Sequence, residues 1–282
     1  MVAISNDNPR YPGVPLNVPP FEWTDDLTYF DSMMGALSRP ERKGMFLGIA
    51  LLDGMNAIFL STVVASILVN VKARRYPFNC FLLYSMTVDT IHALFSSITS
   101  MMSVAEGTIS SVGMCKVQSV SIVFGVTANS WVNALVAIEV FKMLYYSNRR
   151  QRYFPPTRWT VAGRCMAAYL YALLLAIVGG LNFQNLPYKT VLNVGGVFCL
   201  PIPYDHTSSF VSLLVFYPAA MVIPFLIVSA VTAIILRRGY LPPQGNKKRT
   251  LAIYFFRLFA VFAFFWMLDV GCYSLVDWSI HG

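Results

Sequence analysis

The stretch ANSWVNALVAIEVFKMLYYSNRRQRYFPP, residues 128–156, decides the class of fold. Its first half is apolar enough to form a helix in lipid, yet Glu139 and Lys142 stand about one helical turn apart within it. A basic run with Arg149, Arg150 and Arg152 follows at once. An apolar helix that ends in clustered positive charge is typical of a membrane span that ends at the cytoplasmic surface.

The composition of the whole chain agrees with this interpretation. Of 282 residues, 56% are hydrophobic and only 12% are charged, and the mean hydropathy is +0.59. Soluble domains carry about 25% charged residues, so we predict an all-α integral membrane protein, a bundle of transmembrane helices. The net charge of +8 lies in short runs between apolar segments, which argues against nucleic acid as a partner.

Six segments are long enough to cross the hydrocarbon core as helices, which takes about 20 apolar residues each. They are residues 46–71, 78–102, 114–146, 159–181, 208–236 and 251–276. The third is longer than the membrane needs and is expected to project beyond one face. We assign residues 1–43 to a proline-rich, extended N-terminal tail and residues 44–282 to the helical bundle.

The charges predict the orientation of the spans. Fifteen of the 21 lysines and arginines lie in or beside the loops after the first, third and fifth spans, and nine acidic residues lie on the opposite side. Cytoplasmic loops carry the excess of positive charge. The N-terminus is therefore expected outside the cell, with the chain in the plasma membrane.

Two cysteines fall on the outer side in this topology. Cys115 opens the third span at its outer end, and Cys199 lies in the loop between the fourth and fifth spans. Disulfides persist in oxidising compartments, so a Cys115–Cys199 bridge is expected. Two free thiols are the alternative.

With these features the chain resembles the G-protein-coupled receptors from about Phe46 onward. The resemblance is carried by the outer tail, the basic inner loops, the cysteine pair and residues inside the spans: Asp89, Trp131, Glu139, Pro218, Pro224 and Trp266. The segment SWVNALVAIEVF is most similar to the cyclic-AMP-receptor and secretin-like branches. The resemblance implies an extracellular ligand and coupling to a heterotrimeric G protein.

The chain departs from the receptor pattern at its end. Only DWSIHG follows residue 276, which is too short for a seventh helix. A truncated, non-signalling receptor and a six-span transporter or channel subunit that uses its buried carboxylates are therefore alternatives.

Acidic residues inside the spans are costly and usually have partners. Glu139 lies roughly 13 Å from the inner end of the third span, and Arg257 lies at a similar depth in the sixth. A Glu139–Arg257 pair that locks these two helices is one hypothesis. A local pair with Lys142, three residues along the same helix, is the other.

The remaining candidate residues form two groups. Asp89, His92 and Asn129 are predicted to make a polar centre between the second and third spans, where a structural role is the alternative. A ligand pocket is predicted from residues at helical spacing on the third and sixth spans, namely Gln118, Ser121, Gly125, Trp266, Asp269 and Tyr273. Trp266 and Tyr273 are alternatively packing or interfacial aromatics.

The basic inner loops supply the candidate G-protein contacts, which are Arg149, Arg150, Arg152, Tyr153, Lys247 and Lys248. Anionic membrane lipids are the simpler partner for such residues. The sequence contains no catalytic motif and no metal-ligand pattern, so we expect neither an enzyme nor a bound cofactor or metal.

Overall fold

The structure, a computed structural model, describes residues 29–30, 39–105, 107, 112–180, 190–194, 198–203, 210–242, 249–250, 252–253, 256–257 and 260. Its helices are α1 (Arg39–Val69), the short α2 (Val71–Arg74), α3 (Pro77–Val104), α4 (Val112–Asn148), α5 (Arg158–Gly180) and α6 (Ile223–Arg237). Two π-helical segments, Ser212–Phe216 and Pro218–Val222, lead directly into α6.

Five of the helical segments in the described part of the chain are long and apolar enough to cross a membrane. They are Pro40–Val69, Pro77–Val104, Gly113–Asn148, Arg158–Gly179 and Leu214–Arg237. The predicted helical membrane bundle is thereby confirmed. Most of the predicted sixth span, residues 251–276, lies outside the described residues, as does most of the predicted tail.

The first helix begins earlier than its apolar stretch suggests. α1 starts at Arg39, inside the range assigned to the tail, with Pro40 and Glu41 in its first turn. Proline fits a first helical turn because the backbone N–H groups there have no partner within the helix. A carboxylate at the same place complements the positive end of the helix dipole. Hydropathy alone therefore places this boundary several residues too late.

Helix α4 lies at the centre of the bundle. It packs against α3, α5, α6 and the second π segment, while α1 packs against α3. In the most apolar stretch of α4, 44% of the residues are buried, against 17% in α1. Small side chains on α4, such as Ala128, Ala134 and Ala137, are fully buried. Small residues allow helices to approach closely in membranes, where packing replaces the hydrophobic effect as the driving force for association.

Three short strands form a sheet at the end of α4 opposite the basic loops. β2 (Thr190–Val194) and β3 (Phe198–Pro203) are antiparallel, and β1 (Tyr29–Phe30) adds in parallel to β2. The predicted disulfide is confirmed, since Cys115 of α4 is bonded to Cys199 of β3 with a Cα–Cα distance of 5.2 Å. The buried N–H of Cys199 donates a 3.1 Å hydrogen bond to the Gln118 side chain, so two contacts hold the hairpin on α4.

The π-helical turn before α6 and Pro224 in the first turn of α6 leave one backbone carbonyl without a backbone donor. The N–H of Ile223 donates to the carbonyl of Pro218, five residues back, so Ala219 loses its usual α-helical donor. The π-helical partner of Ala219 would be residue 224, which is Pro224 and has no N–H. Trp131 Nε1 of α4 donates to this carbonyl at 3.0 Å, and the Tyr171 hydroxyl of α5 lies 3.3 Å away and also donates. The irregular segment is thereby fastened to two neighbouring helices.

This account predicts non-additive effects of Trp131→Phe and Pro224→Ala. Alone, Trp131→Phe leaves the Ala219 carbonyl with one donor fewer and is expected to cost roughly 1–3 kcal/mol of stability. In the Pro224→Ala background residue 224 supplies a backbone N–H, so the same change should cost less. Thermal unfolding of the four proteins in one detergent measures the coupling. The ring packing lost in Trp131→Phe is the same with Pro224 and with Ala at position 224, so it cancels in the comparison. Equal costs of Trp131→Phe in both backgrounds would show that the missing N–H of Pro224 is not the reason Trp131 is needed.

Candidate functional site

The Glu139 carboxylate is the centre of a charged cluster near the basic end of the bundle. The residue is 3% exposed. One carboxylate oxygen accepts hydrogen bonds from Lys142 Nζ at 3.0 Å and from Arg164 Nη1 at 2.5 Å. The other oxygen accepts a 3.1 Å hydrogen bond from the hydroxyl of Tyr153. Both oxygens are therefore satisfied by side chains of the protein.

The cluster joins three segments of the chain. Glu139 and Lys142 belong to α4, Arg164 belongs to α5, and Tyr153 belongs to the loop between them. A buried carboxylate is tolerated only where cations and hydrogen bonds replace its hydration. The side chains of Lys142 and Arg164 are 42% and 39% exposed, so each reaches from the surface to the buried acid.

The structure decides between the two predicted partners of Glu139. The local pair with Lys142 is present. Arg257 is exposed and is not among the charged partners that Glu139 has in the described part of the chain. The predicted lock to the sixth span is therefore wrong for this conformation, and Arg164 takes that place from α5. The sequence did contain a signal for it, because Arg164 is a lone charge inside an apolar segment.

Tyr153 is held in its protonated form. Burial raises the pKa of its phenol, and the nearby carboxylate of Glu139, which accepts its hydrogen bond, raises that pKa further. A tyrosine in water ionises near pH 10. The phenol therefore donates to Glu139 throughout the physiological range, and it anchors the loop beneath α4.

The raised pKa of Tyr153 predicts a stability term that depends on pH. Because the folded-state pKa lies above the unfolded one, the stabilisation is complete below about pH 10 and is lost as the pH rises through the folded-state value. We expect the difference in melting temperature between the native protein and Tyr153→Phe to be constant from about pH 7 to 9 and to shrink above about pH 10. The other tyrosines are present in both proteins and cancel. A constant difference at every pH would contradict the hydrogen bond.

The predicted inner contact residues are partly described. Arg149, Arg150 and Arg152 are all exposed, whereas Lys247 and Lys248 lie outside the described residues. The guanidinium of Arg149 lies 4.7 Å from the ring centre of Tyr145, and that of Arg152 lies 5.3 Å from the ring of Phe154. Stacking of a guanidinium group on an aromatic ring holds the arginine side chain in one orientation at the surface. The loop thus offers a positively charged surface next to the Glu139 cluster.

A polar stripe runs along the inward side of α3. Asn129 Nδ2 of α4 donates to Asp89 Oδ1 at 2.9 Å, and the Ser85 hydroxyl donates to the Asn129 side-chain oxygen at 2.5 Å. The structure therefore brings together Asp89 and Asn129 as the sequence predicted, and it adds Ser85, which the sequence analysis did not select.

The stripe continues toward the hairpin end of the bundle. His92 Nδ1 lies 3.5 Å from the Ser121 hydroxyl, and the ring of His92 lies against Gly125 of α4, where a side chain would crowd it. One turn further, Ser96 donates to the carboxylate of Asp53 on α1. Polar contacts thus connect α1, α3 and α4 within the membrane-spanning part.

The predicted ligand pocket is described only on its α4 side. Gln118 is buried, and it accepts the N–H of Cys199, a structural role that its sequence context did not suggest. Ser121 and Gly125 both contact His92. Trp266, Asp269 and Tyr273 lie outside the described residues. Among the described residues, no group of three or more histidines, cysteines or acids is arranged to hold a metal ion.

Comparison with solved structures identifies the arrangement of helices. The fold is similar to that in the crystal structure of squid rhodopsin, with a TM-score of 0.61 and 13% sequence identity over 76% of this chain. The match spans 61% of the rhodopsin chain. No protein-family model and no curated protein sequence matches the chain. The chain is therefore a multi-pass membrane protein with a rhodopsin-like fold, and identity this low shows the fold alone.

Proposed function

We propose that the chain is a membrane receptor that senses an extracellular ligand and couples to a heterotrimeric G protein. The observation that carries this proposal is the rhodopsin-like arrangement of helices, capped by a β-hairpin that a disulfide ties to the central helix. We assign no receptor branch, because the comparison does not support the cyclic-AMP-receptor or secretin-like one.

The two ends of the bundle have different roles in this proposal. The hairpin end faces outward and receives the ligand near Ser121 and Gly125. Trp266, Asp269 and Tyr273, which lie outside the described residues, are pocket residues predicted from the sequence alone. The basic end faces the cytoplasm and offers the exposed Arg149, Arg150 and Arg152 to the G protein, while Tyr153 holds their loop on α4. Lys247 and Lys248, outside the described residues, are further contacts predicted from the sequence. This assignment follows the distribution of positive charge.

The Glu139 cluster is positioned to restrain the cytoplasmic end. Arg164 ties α4 to α5, and Tyr153 ties the intervening loop to α4. Activation that moves α4 or this loop must break or rearrange these contacts. A charge network that holds one of two arrangements is a recurrent basis of switching.

A matched pair of substitutions tests the receptor proposal. Arg164→Met removes the ion pair that ties α5 to α4. Lys142→Met removes an ion pair within α4, and because Lys142 moves together with Glu139, this pair does not restrain a second helix. The chain is reconstituted in lipid nanodiscs with purified G-protein heterotrimers of each major class, and GTP-analogue uptake is measured without added ligand. Arg164→Met is expected to raise uptake by about fivefold or more with one class, the range of typical allosteric couplings. Lys142→Met should change it by less than about twofold.

One outcome would overturn the receptor proposal, and another would overturn only the restraint by the Glu139 cluster. No uptake above background by the native chain or by either variant, with unchanged melting temperatures, would remove the G protein as a partner. Equal effects of both substitutions would show that total charge, rather than the tie between α4 and α5, controls the exchange. Arg257→Met is a further control, because this arginine is exposed and does not pair with Glu139; it should leave uptake unchanged.

The polar stripe on α3 favours a second candidate, a transporter or channel that moves protons or cations. Ionisable residues within membrane spans are frequently part of ion pathways, and Asp53, Asp89 and His92 line successive turns here. Liposomes that contain the chain and a pH-sensitive dye test this directly. Under the transport hypothesis an imposed potential drives proton uptake that Asp53→Asn abolishes and Ser97→Ala, a neighbouring control, does not. Uptake equal to that of empty liposomes would eliminate this candidate.

A further inference from the structure

The short loop between α1 and α3 is held in one conformation by its own polar side chains. Asn70 caps α2 by accepting the N–H of Ala73 at 3.1 Å. The amide of Asn79 donates to the carbonyl of Ala73 at 2.9 Å, and the thiol of Cys80 lies 3.5 Å from the carbonyl of Arg74. The backbone that carries Arg74 is therefore fixed from both sides.

One polar atom in this loop has no partner. The Nε atom of Arg74 is buried and makes no hydrogen bond within the described part of the chain. The residue as a whole is half-buried, so part of its guanidinium group is still accessible. An N–H of a charged group that is withdrawn from water without an acceptor is unfavourable. An acceptor from outside the chain that reaches the guanidinium group would remove this penalty.

The surroundings indicate the charge of that acceptor. Lys72 and Arg75 are exposed beside Arg74. Among the described residues, the only acid at this end of the bundle is Glu139, whose oxygens already have three partners. The chain thus offers positive charge here and no described carboxylate to neutralise it. An anion from outside is the matching group.

We propose that Arg74 binds the phosphate group of an anionic phospholipid in the leaflet at the basic end of the bundle. Guanidinium groups bind phosphate through paired, charge-assisted hydrogen bonds. Apolar side chains on both sides of the loop indicate a lipid rather than a free phosphate: Val69 is 81% exposed, Val71 is 53% exposed and Tyr76 is 66% exposed. Exposed apolar residues at the end of a span contact acyl chains, and a tyrosine there lies at headgroup level.

The neighbouring arginine provides a matched control for the test. Arg74→Met and Arg75→Met each remove one positive charge from adjacent positions, but Arg75 is exposed and only Arg74 contains the buried, unpartnered Nε. The full chain is purified in a neutral detergent with phosphatidylcholine. Its melting temperature is then measured as phosphatidylglycerol is added, with inorganic phosphate as a separate addition. A ligand that binds only the folded state raises the melting temperature by an amount that grows with the logarithm of its concentration divided by its Kd.

We expect phosphatidylglycerol to raise the melting temperature of the native chain and of Arg75→Met at similar concentrations. Arg74→Met should need about tenfold more of this lipid for the same rise, a change that corresponds to about 1.4 kcal/mol. Without anionic lipid, Arg74→Met should melt no lower than the native chain, since the substitution removes a donor that has no acceptor. That comparison also shows that the variant is folded.

Three results would overturn the proposal. Equal loss of the lipid effect in Arg74→Met and Arg75→Met would show a diffuse attraction to positive charge rather than a site. A marked fall in the melting temperature of Arg74→Met without anionic lipid would show that Arg74 has a structural partner in the protein. An equal rise with inorganic phosphate, dependent on Arg74, would make free phosphate and not a lipid the ligand.

Discussion

A polar group inside a lipid bilayer cannot form hydrogen bonds with water, and this constraint determines which segments of the protein are in contact. The carboxylate of Glu139 is surrounded by Lys142, Arg164 and Tyr153 because each oxygen must find a donor within the protein. The carbonyl of Ala219, which the π-helical geometry and the missing N–H of Pro224 leave without a backbone donor, is fastened to α4 and α5 for the same reason. The cost of leaving such groups unpaired is what fixes the helices relative to one another.

These contacts converge on α4, which links the two ends of the molecule. At one end the Cys115–Cys199 disulfide and Gln118 hold the β-hairpin on this helix. Near its middle, Trp131 holds the irregular segment before α6. At the other end lies the Glu139 cluster. A displacement of α4 therefore acts on the hairpin, on the bend and on the basic surface together, as the proposed receptor function requires.

The sequence predicted the features that depend on depth in the membrane. The helical bundle and the disulfide are confirmed, because hydropathy and charge place each segment at a height and on a side. The partner of Glu139 was predicted wrongly in part, since Arg164 and Arg257 both lie where the helical rise places them near the level of Glu139. Depth gives the height of a side chain but not the direction in which it points around the helix axis. Only helix packing turns Arg164 toward Glu139.

By itself, then, the sequence determined that the chain is a helical membrane protein, because several of its apolar segments are long enough to cross the hydrocarbon core as helices. The tertiary structure decided the roles of individual polar residues. Gln118 accepts a hydrogen bond from the backbone N–H of Cys199, although its position suggested a ligand contact. The buried Nε atom of Arg74 has no partner among the described residues, although Arg74 looked like one basic loop residue among several. Both results depend on distances between segments far apart in the chain or on burial, and these follow from the rotation and packing of whole helices.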